Sequence, residues 1–145
     1  MGNSFGIYNI QANELIYGNW VANRYHDVDI VGFKITGIFE NKVTGYYANT
    51  PIDIRYKQDF VLPTAHLIGL SLTHEILNNA GFEINTEYQL PPNAVAYVKN
   101  GIALIGYPDK CIYFYEYTPK NKFKYVHQLQ NIYFTLTGEK LNIKY

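Results

Sequence analysis

Two hydrophobic periods share this chain. From residue 18 to 56 the apolar residues alternate with polar ones, or run in short blocks, over 19–23, 28–39, 42–48 and 52–56. That is the period-2 pattern of β-strands. Asp27 and Glu40-Asn41 place turn-forming side chains between the runs. Gly32, Gly37 and Gly45 fall inside them, where glycine marks a bulge or a sharp bend. Strands interrupted in this way predict a small, strongly curved sheet of the SH3-like barrel type. A second β region spans 94–117. Its first two runs, 94–99 and 102–107, flank Asn100-Gly101, the strongest short signal for a two-residue hairpin turn. Such a turn sets Lys99 opposite Ile102, Tyr97 opposite Leu104 and Val95 opposite Gly106. Pro108-Asp109 then turns the chain into a strand over 111–117, on which Tyr113, Tyr115 and Tyr117 share one face and Ile112, Phe114 and Glu116 the other.

The period changes to that of a helix twice. Thr73 is a good N-cap for a segment at 74–80, Gly81 is a good stop, and Ile76, Leu77 and Ala80 form a narrow apolar face. A helix of about two turns is too short to persist without packing on a sheet. Near the C-terminus Leu129, Ile132, Tyr133 and Leu136 stand at i, i+3, i+4 and i+7, which predicts a core-facing amphipathic helix. Gly138 stops it, and a short closing strand is expected to follow. Residues 1–14 are polar and glycine-bearing and read as an extended arm. The order predicts an α+β fold with a curved, mostly antiparallel sheet: an SH3-like barrel in the N-terminal half, a β-meander in the C-terminal half, a short central helix and a C-terminal helix.

A length of 145 residues suggests a single domain, 1–145, and 48 % apolar residues exclude a disordered chain. The formal net charge is zero, whereas proteins that bind nucleic acid mainly through phosphates carry a basic excess. Cys111 is the sole cysteine, so no intramolecular disulfide forms. The N-terminus lacks the basic and apolar regions of a secretory signal, and no apolar run is long enough for a membrane span. A cytoplasmic protein is expected. Tyrosine is the outlier, at 15 residues. It suits half-buried strand positions, and it also makes adhesive surfaces at low entropic cost.

The residues that could carry chemistry form weak sets. His26, Asp27 and Asp29 sit in an expected turn, without the helical ligands of a metal-dependent hydrolase. His74-Glu75 lacks the second histidine of a zinc-protease motif, because position 78 is Asn. Cys111 with His127 would make a nucleophile and base, but nothing local activates the thiol. No enzymatic activity, metal or cofactor is expected. Lys120, Lys122 and Lys124 alternate with Asn121, Phe123 and Tyr125, which on an extended segment gives a basic face suited to nucleic acid or to a solvated edge strand. His127 and Asn131 stand one helical turn apart, with Gln128 beside them. His127 could cap the helix, and a binding role for the three is the alternative.

Three segments together resemble a family of small proteins encoded by bacterial phages and prophages. They are Gly18-Asn19-Trp20-Val21, then Leu72-Thr73-His74-Glu75-Ile76-Leu77 running to Gly81-Phe82, and then Val126 through Leu141 with its Val-His-x-Leu-Gln-Asn-x-Tyr-Phe-x-Leu-Thr-Gly pattern. The resemblance implies a phage or prophage accessory protein and no defined activity. Taken with the absent catalytic set and the tyrosines, it leads to an expectation of non-enzymatic protein binding. The partner would be a host or phage protein, in one form a bacterial defence system such as a CRISPR nuclease. Tyr113, Tyr115 and Tyr117 are the candidate contact residues. The alternative is a small nucleic-acid-binding module using Lys120, Lys122 and Lys124.

Overall fold

The computed structural model describes residues 9–25, 32–50, 59–115 and 119–144. The fold is α+β. The chain divides into two compact units, Met1–Leu70 and Ser71–Tyr145, and each holds a five-stranded antiparallel sheet.

In the first unit the strands are β1 (Trp20–Asn23), β2 (Gly32–Ile38), β3 (Lys42–Tyr47), β4 (Phe60–Pro63) and β5 (Leu67–Ile68). Their order is β4-β3-β2-β1-β5. Four strands form a meander, a 3-10 turn at Thr64–His66 follows, and β5 returns to pair with β1. The result is a curled half-barrel. The β2–β3 register shifts between Ile35 and Gly37, a bulge of the kind the glycines predict, and bulges sharpen strand curvature. Ile10, Leu15, Val21, Phe33, Ile35, Val43 and Leu67 pack as one core.

That core corrects the expected arm over residues 9–14; its first eight residues lie outside the described residues. Asn9 bridges Ile68, the Ile10 amide donates to the Leu67 carbonyl at 3.4 Å, and Ala12–Glu14 forms a 3-10 turn. Burying Ile10 and Leu15 ties this segment down. The strand expected at 52–56 and the first residues of that at 28–39 lie outside the described residues. Strands β4 and β5 stand where the pattern predicted no element. With four and two residues, they are too short to show a period.

The second unit contains α1 (His74–Asn79), β6 (Glu83–Asn85), β7 (Val95–Lys99), β8 (Ile102–Tyr107), β9 (Ile112–Tyr115), β10 (Lys122–Phe123) and α2 (Val126–Thr137). The sheet is a meander, β10-β9-β8-β7-β6. Asn100 and Gly101 have φ of 49° and 79°, as a type I′ turn requires. The β7–β8 register is the predicted one: Lys99 to Ile102, Tyr97 to Leu104, Val95 to Gly106. Thr73 caps α1, its Oγ1 accepting from the Ile76 amide at 3.2 Å. Gly138 ends α2 at φ 75°, donating to the Phe134 carbonyl at 2.8 Å. Among the described residues the closing strand is absent, although Leu141 and Ile143 are buried and Asn142 is exposed.

Residues paired across the ladders share a face. One row is Ile84, Tyr97, Leu104 and Tyr115; the next on the same side is Val95, Gly106, Tyr113 and Phe123. A Cβ on Gly106 would stand 2.5 Å from the Tyr113 ring and 3.3 Å from that of Tyr97, so glycine there makes room for two aromatic rings. Both helices lie against this side. His74 of α1 hydrogen-bonds the Tyr97 hydroxyl through Nδ1 at 2.8 Å. On α2, the Tyr133 hydroxyl accepts from Asn100 Nδ2 at 2.7 Å, and the Lys99 ammonium lies 5.7 Å from the Tyr133 ring centre.

Candidate interaction surface

The three candidate tyrosines have different surroundings. Tyr113 is fully buried. Its hydroxyl donates to the Leu72 carbonyl at 3.1 Å, and its ring packs against Tyr97 and Phe123. Burial pushes its phenol far above the usual tyrosine range, with smaller contributions from Cys111 and Tyr97. Tyr113 is therefore a core residue and offers no contact area to a partner, a correction to the expected aromatic face. The cause is simple: the side of β9 that carries the tyrosines is the side facing the helices. Tyr115, farther along that side, is half-buried. Tyr117 lies outside the described residues.

Helix α2 is turned differently from its apolar spacing. The buried side chains are Val126, His127, Leu129, Gln130 and Tyr133. Leu129 and Tyr133 belong to the predicted stripe; Ile132 is half-buried, and Leu136 retains 42 % of its exposure. The inward face took two polar residues and left two aliphatic ones outside it. Ile132 and Leu136 stand one turn apart, and with Tyr115, Asn131 and Thr135 they line an open, mostly apolar hollow of about 230 Å³. The sequence held one sign of it. Val126, Leu129, Ile132, Tyr133, Phe134 and Leu136 make an apolar arc wider than one buried face of a twelve-residue helix uses.

The polar residues of the C-terminal motif divide between helix and hollow. Gln128 Oε1 accepts from the amides of Lys124 and Tyr125 at 3.0 and 3.1 Å, satisfying donors at the helix start as a capping box does. The cap considered for His127 is thus made by Gln128. His127 is fully buried, its ring stacked on Tyr125 at 6.2 Å between centres and 17° between planes. Asn131 is half-buried, lines the hollow, and takes the Thr135 hydroxyl on its carbonyl at 2.8 Å.

The lysines do not form one face of a strand. Lys120 sits in the 3-10 turn Pro119–Asn121, Lys122 on the two-residue β10, and Lys124 beside the α2 cap. A 3-10 turn lacks two-fold alternation, which breaks the expected basic stripe. Lys120 and Lys122 are exposed; Lys124 is half-buried.

Cys111 is not a strand residue. It closes the 3-10 turn Pro108–Lys110 in the left-handed region at φ 51°, and its thiol faces the Pro108 carbonyl at 3.7 Å. His74 holds the buried Tyr97 hydroxyl, whose pKa burial raises. The segment carrying His26, Asp27 and Asp29 lies outside the described residues. Among the described residues, no three His, Cys, Asp or Glu side chains gather closely enough to hold a metal ion, and no helix is long and apolar enough to cross a membrane. No protein-family model, curated protein or solved structure matches the chain.

Proposed function

We propose that this protein acts by binding another protein, without catalysis of its own, and that the hollow between Tyr115 and the outer side of α2 is the docking site. The observation that carries this reading is the pair Ile132 and Leu136. They are left outside the buried face of a helix that is capped at both ends and already has a core to pack on. Exposed aliphatic groups lining a concavity beside a half-buried tyrosine give a partner's apolar side chain a surface to bury against. The resemblance to phage and prophage proteins supplies the setting: the bacterial cytoplasm, a host or phage protein as partner, and inhibition of a defence nuclease such as a CRISPR effector as the specific form.

A pull-down from bacterial lysate with the wild-type chain and with Leu136→Asp, read by mass spectrometry, tests this. A partner retained by wild type, resistant to nuclease treatment and lost in the variant is the expected result. A partner held equally by both would move the docking site elsewhere. The exposed Lys120 and Lys122 favour a second reading, a small nucleic-acid-binding module, and release of the captured material by nuclease would select it.

A further inference from the structure

A reactive dipeptide forms the turn between β7 and β8. Asn100-Gly101 is the sole Asn-Gly pair in the sequence. In such a pair the glycine amide nitrogen attacks the side-chain carbonyl carbon of the asparagine, with no Cβ on the attacking residue to obstruct it. The C–N bond to the side-chain nitrogen breaks, ammonia leaves and a succinimide forms. Water then opens the ring on one side to aspartate, or on the other to isoaspartate. The balance is water in and ammonia out, with no oxidant or further reagent. Asn100 is exposed, and a Cβ on Gly101 would meet nothing within 4 Å. Neither crowding nor exclusion of water therefore blocks the reaction.

Conformation restrains it instead. Asn100 and Gly101 both hold the positive φ of the type I′ turn, 49° and 79°. Closing the succinimide ring swings the Asn100 side chain over its own peptide bond and takes that bond out of the turn geometry, so the hairpin end must open first. The side chain is also tied elsewhere. Its Nδ2, the leaving nitrogen, donates to the Tyr133 hydroxyl at 2.7 Å. Tyr133 is buried, and its ring is set by the edge of Phe82 at 6.3 Å and by the Lys99 ammonium at 5.7 Å. We infer that Asn100-Gly101 is a site of spontaneous deamidation gated by Tyr133 of α2. The product acts back on the turn. Isoaspartate carries the main chain through the side-chain carbons, which adds a methylene to the two-residue loop that sets Lys99 opposite Ile102. Both products replace the Nδ2 donor with a carboxylate, so the Tyr133 hydroxyl must donate where it had accepted.

Timed incubation of the full chain in mildly alkaline buffer tests this, with peptide mapping by mass spectrometry to locate each amide-to-acid conversion and isoaspartyl methyltransferase labelling to identify isoaspartate. Wild type is compared with Tyr133→Phe, with Gln128→Ala and with the wild-type chain in denaturant, the native samples being checked by circular dichroism. In denaturant, Asn100 should convert before any other asparagine. Native wild type should convert there roughly tenfold or more slowly, because only the opened hairpin reacts. Tyr133→Phe, which keeps the ring and removes the hydroxyl, should raise the native rate roughly two- to tenfold, the change in open population that one ordinary hydrogen bond represents. Gln128→Ala loosens the start of α2 without touching Asn100, and should leave the rate within about twofold of wild type. The isoaspartyl fraction of aged wild type should show a lower urea midpoint than fresh protein. Equal native rates for wild type and Tyr133→Phe would overturn the gate. So would acceleration by Gln128→Ala as large as that by Tyr133→Phe, since the rate would then follow general unfolding. Conversion at another asparagine ahead of Asn100 would overturn the site itself.

Discussion

Leu129 and Ile132 are three positions apart on α2, yet they do different work. Leu129 is 1 % exposed and Ile132 is half-buried at the rim of the hollow. Leu129→Ala should cost about 2–5 kcal/mol, the ordinary range for a large-to-small core change, and Ile132→Ala about 1 kcal/mol or less. Urea midpoints measured on the two variants decide this. Tyr113 and Tyr115 divide the same way. Tyr113→Ser should destabilise by about 3–5 kcal/mol, leaving a cavity and an unsatisfied Leu72 carbonyl. Tyr115→Ser should leave the urea midpoint nearly unchanged while weakening partner binding. Burial also raises the phenol pKa of Tyr97, Tyr113 and Tyr125. Their contribution to stability is fully present below the unfolded tyrosine value of about 10 and is lost as pH climbs through the raised folded values. The urea midpoint should therefore be flat from about pH 7 to 9 as far as tyrosines govern it, and should fall above about pH 10. Tyr113→Phe should make that alkaline fall shallower.

Among the elements, α2 depends on its cap. Gln128 satisfies the amides of Lys124 and Tyr125, so Gln128→Ala should cost about 1 kcal/mol and speed amide exchange in the first turn. Elements written in local chemistry were legible in the sequence. Asn100-Gly101 specified a turn, and the turn specified the register; Thr73 and Gly138 marked helix ends. The strands β5 and β6, of two and three residues, were not legible, because so short a segment is defined by its neighbour in the ladder and not by its own pattern. The face of α2 was half legible. Spacing identified the apolar positions, but His127 and Gln130 went inside in place of Ile132 and Leu136. Sequence pattern cannot show which polar groups will be satisfied when buried. The strand at 111–117 was misread at its start for a related reason: a 3-10 turn consumed Cys111, and alternation says nothing about where a turn ends.

At the scale of the molecule, zero net charge gives no general attraction for polyanions, and the described surface includes an apolar hollow beside α2. That the hollow between Tyr115 and α2 binds a protein is the central claim. Photo-crosslinking in living bacterial cells tests it most directly, with a photoreactive amino acid placed at position 136 or, for comparison, at position 88. The native residues at these positions, Leu136 and Tyr88, have nearly equal exposure, 42 % and 45 %. The account predicts a discrete protein adduct from position 136 that is absent from position 88 and reduced by Tyr115→Ser. The same diffuse adducts from both positions, or adducts to nucleic acid alone, would contradict it.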